Sequence, residues 1–247
     1  MMEFEPIFVK FNKYVSNYDF NNYNIKSKWE HSYRVCEISG KIAEMLKLSG
    51  EEIFLAKLIG LLHDIGRFEQ LKITNSLSDL KFEHAEYGNK ILFDNYVIKE
   101  FIDNDKYNNI IYNAIKYHNK LSVPKELDTK TTMFCQILRD ADKIDIYRVL
   151  VDKKELTFNQ KIKEKIISDF KLMKSINHRF VSNNTEKTIL RLAFVFDINY
   201  KESFILLSKS NYLQKYINSL EISKNNIETL RELINIMNRY ISDKVKK

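Results

Sequence analysis

Residues that break helices are scarce in this sequence. Its 247 residues contain five glycines and two prolines, well below the usual usage of both types. Strand-rich folds need glycine and proline at their many turns, whereas helical folds need few of either. The shortage therefore disfavours a sheet architecture and predicts that nearly the whole chain is helical.

Cysteines and long apolar segments are also scarce. The two cysteines, Cys36 and Cys135, are too few for a disulfide framework, and we expect both to be small buried side chains. No apolar run approaches the roughly 20 residues of a membrane span. Glu3 and Glu5 stand near the N-terminus, where a signal peptide carries Lys or Arg. We therefore expect a cytoplasmic protein with no membrane attachment.

The charge of the chain is positive but evenly spread. The formal net charge is +7 and the isoelectric point is near 9.1. Lysine recurs along the whole chain and does not cluster on one segment, a distribution typical of solvated helix faces and not of a nucleic-acid-binding face. A modest positive field of this kind still attracts small phosphorylated substrates.

Capping signals predict helix starts in the first part of the chain. Ser27 with Glu30, and Ser49 with Glu52, have the spacing of a capping box, in which each side chain binds the backbone at the other's position. They predict two consecutive helices, the second of which ends near Asp64. Apolar residues recur at three- and four-residue steps through both segments, so each helix is expected to bury one face.

The helical periodicity fails over 65–82, where polar residues and a glycine accumulate. We predict a loop there, and loops beside a site often gate it or select the substrate. Apolar spacing predicts further helices over 83–93, 106–117, 132–150, 162–173, 186–196, 204–207 and 227–245.

Six side chains have the chemistry of transition-metal ligands. His63 and Asp64 are adjacent, and a carboxylate beside an imidazole suits a transition-metal ion. The full set is His31, His63, Asp64, His84, His118 and Asp142. All lie in predicted helices or at helix ends, and such rigid elements can bring ligands to one point. Four imidazoles and two carboxylates exceed what one ion takes while keeping a position open for chemistry, so the sequence predicts two ions.

The order and context of these residues resemble the HD-domain superfamily, in the subset whose extra histidines bind a second metal ion. The resemblance covers about 27–150, including the apolar segment with a glycine turn at 61–66 and the closing aspartate segment at 140–145. It implies an all-α fold, an HD-domain helical bundle with a C-terminal helical extension packed on it. We therefore predict one HD-type domain over 1–247, in which 27–150 is the metal-binding core and the helices of 151–247 cover the core or the pocket.

The superfamily consists of metal-dependent phosphohydrolases, and the resemblance implies a role for each ligand. The first ion would be bound by His31, His63, Asp64 and Asp142. The second would be bound by His84 and His118, with Asp64 bridging both ions. A hydroxide between ions roughly 3.5 to 4 Å apart would attack phosphorus in line. Mixed imidazole and carboxylate ligands suit Fe, Mn, Co, Ni or Zn, so the sequence leaves the identity of the two divalent transition-metal ions open.

Arg67 stands where the related cyclic-dinucleotide phosphodiesterases, the HD-GYP group, usually have lysine. A guanidinium can bind phosphate through two parallel hydrogen bonds, so we assign Arg67 to the substrate phosphate and, with Asp64, to catalysis. The rest of that group's pattern is absent, because Asn119 follows His118 where the group has a second histidine, and 121–124 does not reproduce Gly-Tyr-Pro. Cyclic dinucleotides are therefore not implied.

The predicted function is hydrolysis of a small phosphate ester, either a monoester or a diester, with a nucleotide as the expected class. Two alternatives stay open. A mixed-valent diiron oxygenase that activates O₂ would use the same ligands, as in HD-fold proteins that resemble myo-inositol oxygenase. A catalytically inactive metal- or nucleotide-binding module would be expected to lack ligands, and none is missing. The sequence leaves the substrate and the oligomeric state open.

Overall fold

The computed structural model describes residues 4–79, 82–153 and 157–246, and regular structure in these ranges is almost entirely helical, which confirms the all-α prediction. The α-helices are α1 (Glu5–Val15), α2 (Tyr23–Met45), α3 (Gly50–Leu62), α4 (Ile65–Thr74), α5 (His84–Asn89), α6 (Ile98–Phe101), α7 (Asn108–Tyr117), α8 (Thr129–Lys153), α9 (Glu164–Lys171), α10 (Asn184–Leu192), α11 (Lys201–Ser210), α12 (Tyr212–Asn218) and α13 (Ile227–Lys246).

Shorter elements join these helices. A single π-helical turn, Lys90–Asp94, continues α5. Turns of 3-10 helix lie at His178–Phe180, Ala193–Asp197 and Lys224–Asn226. Two strands of two residues each, β1 (Thr157–Phe158) and β2 (Glu221–Ile222), pair in parallel.

The chain divides into two compact units, Met1–Asp142 and Lys143–Lys247, and the division falls within α8. All six predicted metal ligands belong to the first unit. The prediction of one domain over 1–247, in which 151–247 covers the core or the pocket, stays a prediction.

The core of the first unit is the crossing of α2 and α3. The second half of α3 is buried continuously from Leu55 to Leu62, apart from Lys57. A Cβ atom added at Gly60 would lie 2.9 Å from the Cα atom of Cys36 and from the carbonyl oxygen of Val35, closer than packed atoms tolerate. Gly60 therefore permits the close approach of the two helices that carry His31 and His63.

One capping prediction is confirmed and the other is wrong. The Ser49 Oγ atom accepts a hydrogen bond from the backbone of Glu52, whose carboxylate accepts in turn from the Ser49 backbone, and α3 begins there. Helix α2 begins at Tyr23, before Ser27, because the side chain of Asn22 accepts from the Asn24 backbone at 2.9 Å. Asparagine is as good an N-cap as serine, and the earlier cap starts the helix.

The loop predicted over 65–82 is wrong for its first ten residues, which form α4. Ile65, Phe68 and Leu71 recur every three residues and are buried, so a short amphipathic helix was present in the pattern. The helix ends at Asn75, whose backbone is left-handed with φ 47°, a conformation that asparagine tolerates. The connection to α5 is therefore 75–83.

The second unit has its own apolar core, which includes Phe158, Phe170 and Phe204. The buried carboxylate of Glu186 accepts hydrogen bonds from the backbones of Lys163 (3.0 Å) and Ser182 (2.8 Å). These contacts hold the chain between β1 and α10, since a buried charge is stable only when its hydrogen bonds are satisfied.

Candidate metal centre

Each predicted ligand lies in a helix or at a helix end. His31 lies within α2, His63 follows α3, Asp64 precedes α4, His84 opens α5, His118 follows α7 and Asp142 lies within α8. Five of the six side chains are almost wholly buried, and Asp142 is partly buried. The packing of these helices therefore brings residues separated by up to 111 positions into one cluster.

The two carboxylate oxygens of Asp64 face two different groups of histidines. Its Oδ2 atom lies 3.4 Å from His63 Nε2 and 3.8 Å from His31 Nε2. Its Oδ1 atom lies 3.3 Å from His84 Nε2 and 3.7 Å from His118 Nε2. Asp64 thus stands between the two groups, with one oxygen directed to each.

Asp142 completes the group around His31 and His63. Its Oδ1 atom lies 3.1 Å from His31 Nε2 and 3.8 Å from His63 Nε2. Ligand atoms about 2.1 Å from a shared ion are separated by roughly 3 to 3.5 Å, close to these distances. The ligand atoms of His31, His63 and Asp142 lie within 4.8 Å of one another, as do those of His63, Asp64 and His118.

Hydrogen bonds set the tautomers of two histidines. His63 Nδ1 lies 2.8 Å from the carbonyl oxygen of Gly60, and His118 Nδ1 lies 2.6 Å from that of Ile115. A carbonyl oxygen only accepts, so both Nδ1 atoms carry the proton and both Nε2 atoms present a lone pair. His63 Nε2 is buried and has no hydrogen-bond partner among the described residues. An orphaned buried acceptor that faces two carboxylates fits a cation ligand.

His84 and His118 supply the second piece of evidence for a cation. His84 Nδ1 lies 2.7 Å from the carboxylate of Asp79 and donates to it, so Nε2 of the neutral ring presents a lone pair. The two Nε2 atoms are 3.0 Å apart. Burial lowers the pKa of His118 to about 4, against the attraction of Asp64, so His118 is neutral at pH 7. Facing lone pairs of two neutral rings repel each other, and a divalent cation bound by both nitrogens would remove the repulsion.

Both carboxylates of the cluster are held in the charged form. Burial raises the pKa of Asp64, but the attraction of the Lys28 ammonium group works against it, and this pKa lies well below the usual value. Burial likewise opposes ionisation of Asp142, and its hydrogen bond with His31 lowers its pKa strongly. An ionised carboxylate is the form that binds metal ions.

Helix α5 packs directly against the start of α4, and this packing positions His84. A Cβ atom added at Gly66 would lie 2.2 Å from the carbonyl oxygen of His84 and 2.7 Å from the backbone nitrogen of Gly88. The contact requires glycine at 66, because the opposing atoms belong to the backbone and cannot rotate away.

The two Nη atoms of the Arg67 guanidinium group already make hydrogen bonds within the protein. Nη1 donates to Gln70 (2.7 Å), to the carbonyl oxygen of Leu77 (2.8 Å) and to Asp79 (2.7 Å), and Nη2 donates to Asp79 at 3.2 Å. The Nε atom is buried and has no hydrogen-bond partner within the described ranges, and it lies at ion-pair distance, 3.6 Å, from Asp64 Oδ1. The predicted role of Arg67 in binding phosphate stays a prediction.

Two residues of the cluster were missed by the sequence reasoning. Lys28 places its ammonium group 2.6 Å from Asp64 Oδ2, and Asp79 binds both His84 and Arg67. Lys28 lies three residues before His31, and this spacing on one helix could have identified it. Asp79 lies in the 75–83 connection, where no periodic signal exists.

We expect Lys28→Met to raise the affinity of the cluster for Mn²⁺. The ammonium group competes with any cation for Asp64 Oδ2, and removing one positive charge at this distance should strengthen binding by about tenfold. Isothermal titration calorimetry measures the change, with Lys26→Met as the control because Lys26 is an exposed lysine of the same helix. An unchanged or weaker affinity in Lys28→Met would contradict the competition.

Comparison with known proteins identifies the family. Residues 29–147 match the model of the HD domain, and the matched segment contains all six clustered ligands. No curated protein and no solved structure matches the chain. Residues 29–147 therefore belong to the HD-domain superfamily, whose members bind divalent metal ions and are commonly metal-dependent hydrolases. No helix in the described ranges combines the length and apolar character needed to cross a membrane.

Proposed function

We propose that this protein is a two-metal phosphohydrolase that acts on a small phosphate ester, with a nucleotide as the expected class of substrate. The observation that carries the proposal is the position of Asp64, with Oδ2 near His31 and His63 and Oδ1 near His84 and His118. A carboxylate that bridges two metal ions has this arrangement of ligands on its two sides.

The clustered residues divide into two ligand sets. The first ion would be held by His31, His63, Asp64 and Asp142. The second would be held by His84, His118 and the other oxygen of Asp64. Divalent ions in these positions supply Lewis-acid activation of water and offset negative charge on phosphate oxygens.

Arg67 supports the choice of a phosphate substrate. Asp79 occupies the end of its guanidinium group, whereas the Nε edge faces Asp64 without a hydrogen-bond partner among the described residues. A phosphate oxygen can accept from that edge, and Arg67 is held in place for it by its other partners. Because the cluster is buried, such charge interactions are stronger there than in water.

The function is tested by hydrolysis of para-nitrophenyl phosphate and bis-para-nitrophenyl phosphate after loading with Mn²⁺, Fe²⁺ or Co²⁺. We expect turnover of at least one ester that stops when EDTA removes the metal. His63→Ala should abolish it, because Nε2 of this residue faces both carboxylates. His178→Ala is the matched control, since His178 is exposed and lies in the second unit.

Absence of turnover in every metal form, together with unchanged metal content in His63→Ala, would contradict the proposal. Substrate-dependent O₂ uptake and a mixed-valent electron paramagnetic resonance signal from anaerobically reconstituted iron protein would instead support the oxygenase. A protein that binds no metal would support the inactive module.

A further inference from the structure

Asp79 is the point at which Arg67 and His84 meet. Its Oδ1 atom accepts from His84 Nδ1 at 2.7 Å and from Arg67 Nη1 at 2.7 Å. Its Oδ2 atom accepts from Arg67 Nη2 at 3.2 Å. One carboxylate therefore contacts both a candidate ligand and the candidate phosphate-binding residue.

His84 needs a partner of this kind because of its position in the chain. His63 and His118 each follow a helix, and each donates Nδ1–H to a carbonyl oxygen three residues earlier. His84 is the first residue of α5, so no preceding helical turn offers it a carbonyl oxygen. The Asp79 carboxylate takes that place and directs the Nε2 lone pair of His84 toward Asp64 and His118.

Asp79 is itself held firmly although it lies in a connection. Gln70 is fully buried, and its Nε2 atom donates to the carbonyl oxygens of Ser78 (2.9 Å) and Phe82 (3.3 Å), on both sides of Asp79. Arg67 holds the carboxylate end-on through both Nη atoms. Charge-assisted hydrogen bonds of this type are among the strongest and most directional in proteins.

We infer that Asp79 is a positioning residue for the second metal ion, acting through His84, and that Arg67 secures Asp79 in this role. The inference rests on the proposed function, because it assigns the site of His84 and His118 to an ion. Arg67 then has two roles: its Nη atoms bind and orient Asp79, and its Nε–H group can donate a hydrogen bond to the substrate phosphate.

Asp79→Ala should weaken binding of the second ion by about 10- to 100-fold and leave binding of the first ion within about twofold. His84 would lose the acceptor for Nδ1–H and its ring would rotate. At the Mn²⁺ concentration that just fills both sites of the wild-type protein, metal content by mass spectrometry should fall from two ions per chain to one. The electron paramagnetic resonance spectrum should change from that of a coupled Mn²⁺ pair to that of an isolated ion.

Asp79→Asn separates positioning from a general loss of structure. Asparagine keeps the size of the side chain and an oxygen that can accept from His84, but its NH₂ group faces Arg67 in place of the second acceptor. We expect an effect smaller than that of Asp79→Ala and in the same direction. Asp103→Asn is the control, because Asp103 is an exposed carboxylate in the same unit, and circular dichroism verifies folding of all three variants.

A double-mutant cycle tests the part played by Arg67. If Arg67 affects binding of the second ion through Asp79, then the double variant Arg67→Gln, Asp79→Ala should bind that ion no more weakly than Asp79→Ala alone. Arg67→Gln should raise KM for the phosphate ester in addition, because its Nε edge would be lost. Additive losses of metal affinity would overturn the coupling.

The inference would be overturned if Asp79→Ala bound two ions with the affinities of the wild-type protein, or if folded Asp79→Asn lost both ions equally. Either result would leave the proposed function standing. The proposed function fails separately if the wild-type protein itself binds no metal, or if it binds two ions and hydrolyses no phosphate ester.

Discussion

Replacing Asp64 by asparagine is expected to remove both metal ions and to lower any hydrolytic turnover by at least about 10³-fold. Asparagine retains one acceptor oxygen but loses the negative charge, and its amide nitrogen would face one of the two histidine groups. Asp64 is the residue whose oxygens contact both groups, at 3.4 Å to His63 and 3.3 Å to His84. No other single substitution in the cluster should affect both ions equally.

The loss is measured in two ways that do not depend on substrate. Mass spectrometry gives the number of ions per chain, and thermal unfolding with and without Mn²⁺ gives the stabilisation that binding provides. A ligand that binds the folded state raises the unfolding temperature, so wild type and Asp103→Asn should show an increase that Asp64→Asn lacks. Retention of two ions by Asp64→Asn would contradict the bridging role.

The second large effect is expected at Gly66. Gly66→Ala would place a methyl group 2.2 Å from the carbonyl oxygen of His84 and 2.7 Å from the Gly88 nitrogen, so α4 and α5 must separate. Overpacking against backbone should cost at least about 3 kcal/mol of unfolding free energy. That corresponds to a fall of about 10 °C in unfolding temperature for a chain of this size. Displacement of His84 should also weaken the affinity for the second ion.

Gly88→Ala is the matched control across the same contact. A Cβ atom at Gly88 would have its nearest neighbours at 3.4 Å, which is ordinary packing distance, and alanine is the better helix former. We expect its unfolding free energy to stay within about 1 kcal/mol of the wild type. Chemical denaturation of both variants measures the difference, and equal stabilities would contradict the close approach of α4 and α5.

Local sequence signals predicted much of the helical framework. The capping box at Ser49 and Glu52 located the start of α3, because a helix terminus depends on residues three positions apart. The ordered histidines and aspartates predicted that distant segments converge, and the structure brings all six together. Their assignment as metal ligands stays a prediction.

The sequence reasoning failed where two local signals compete or where none exists. Asn22 and Ser27 are both competent caps, and only the packed helix shows which one begins α2. The polar residues and Gly66 led to a loop prediction over 65–82, although Ile65, Phe68 and Leu71 have helical spacing. Nothing local distinguishes the glycine of a turn from a glycine that a neighbouring helix contacts.

The amino-acid sequence by itself determined that this protein is helical, because glycine and proline are scarce and apolar residues recur with the period of a helix. It also determined the set of side chains able to bind metal, since that depends on residue type. Tertiary structure decided which oxygen of Asp64 faces which histidines, which nitrogen of His84 faces Asp64, and that Lys28 and Asp79 join the cluster. Those outcomes depend on contacts between residues far apart in the chain, such as the 36 positions between Lys28 and Asp64, and the packing of helices creates such contacts.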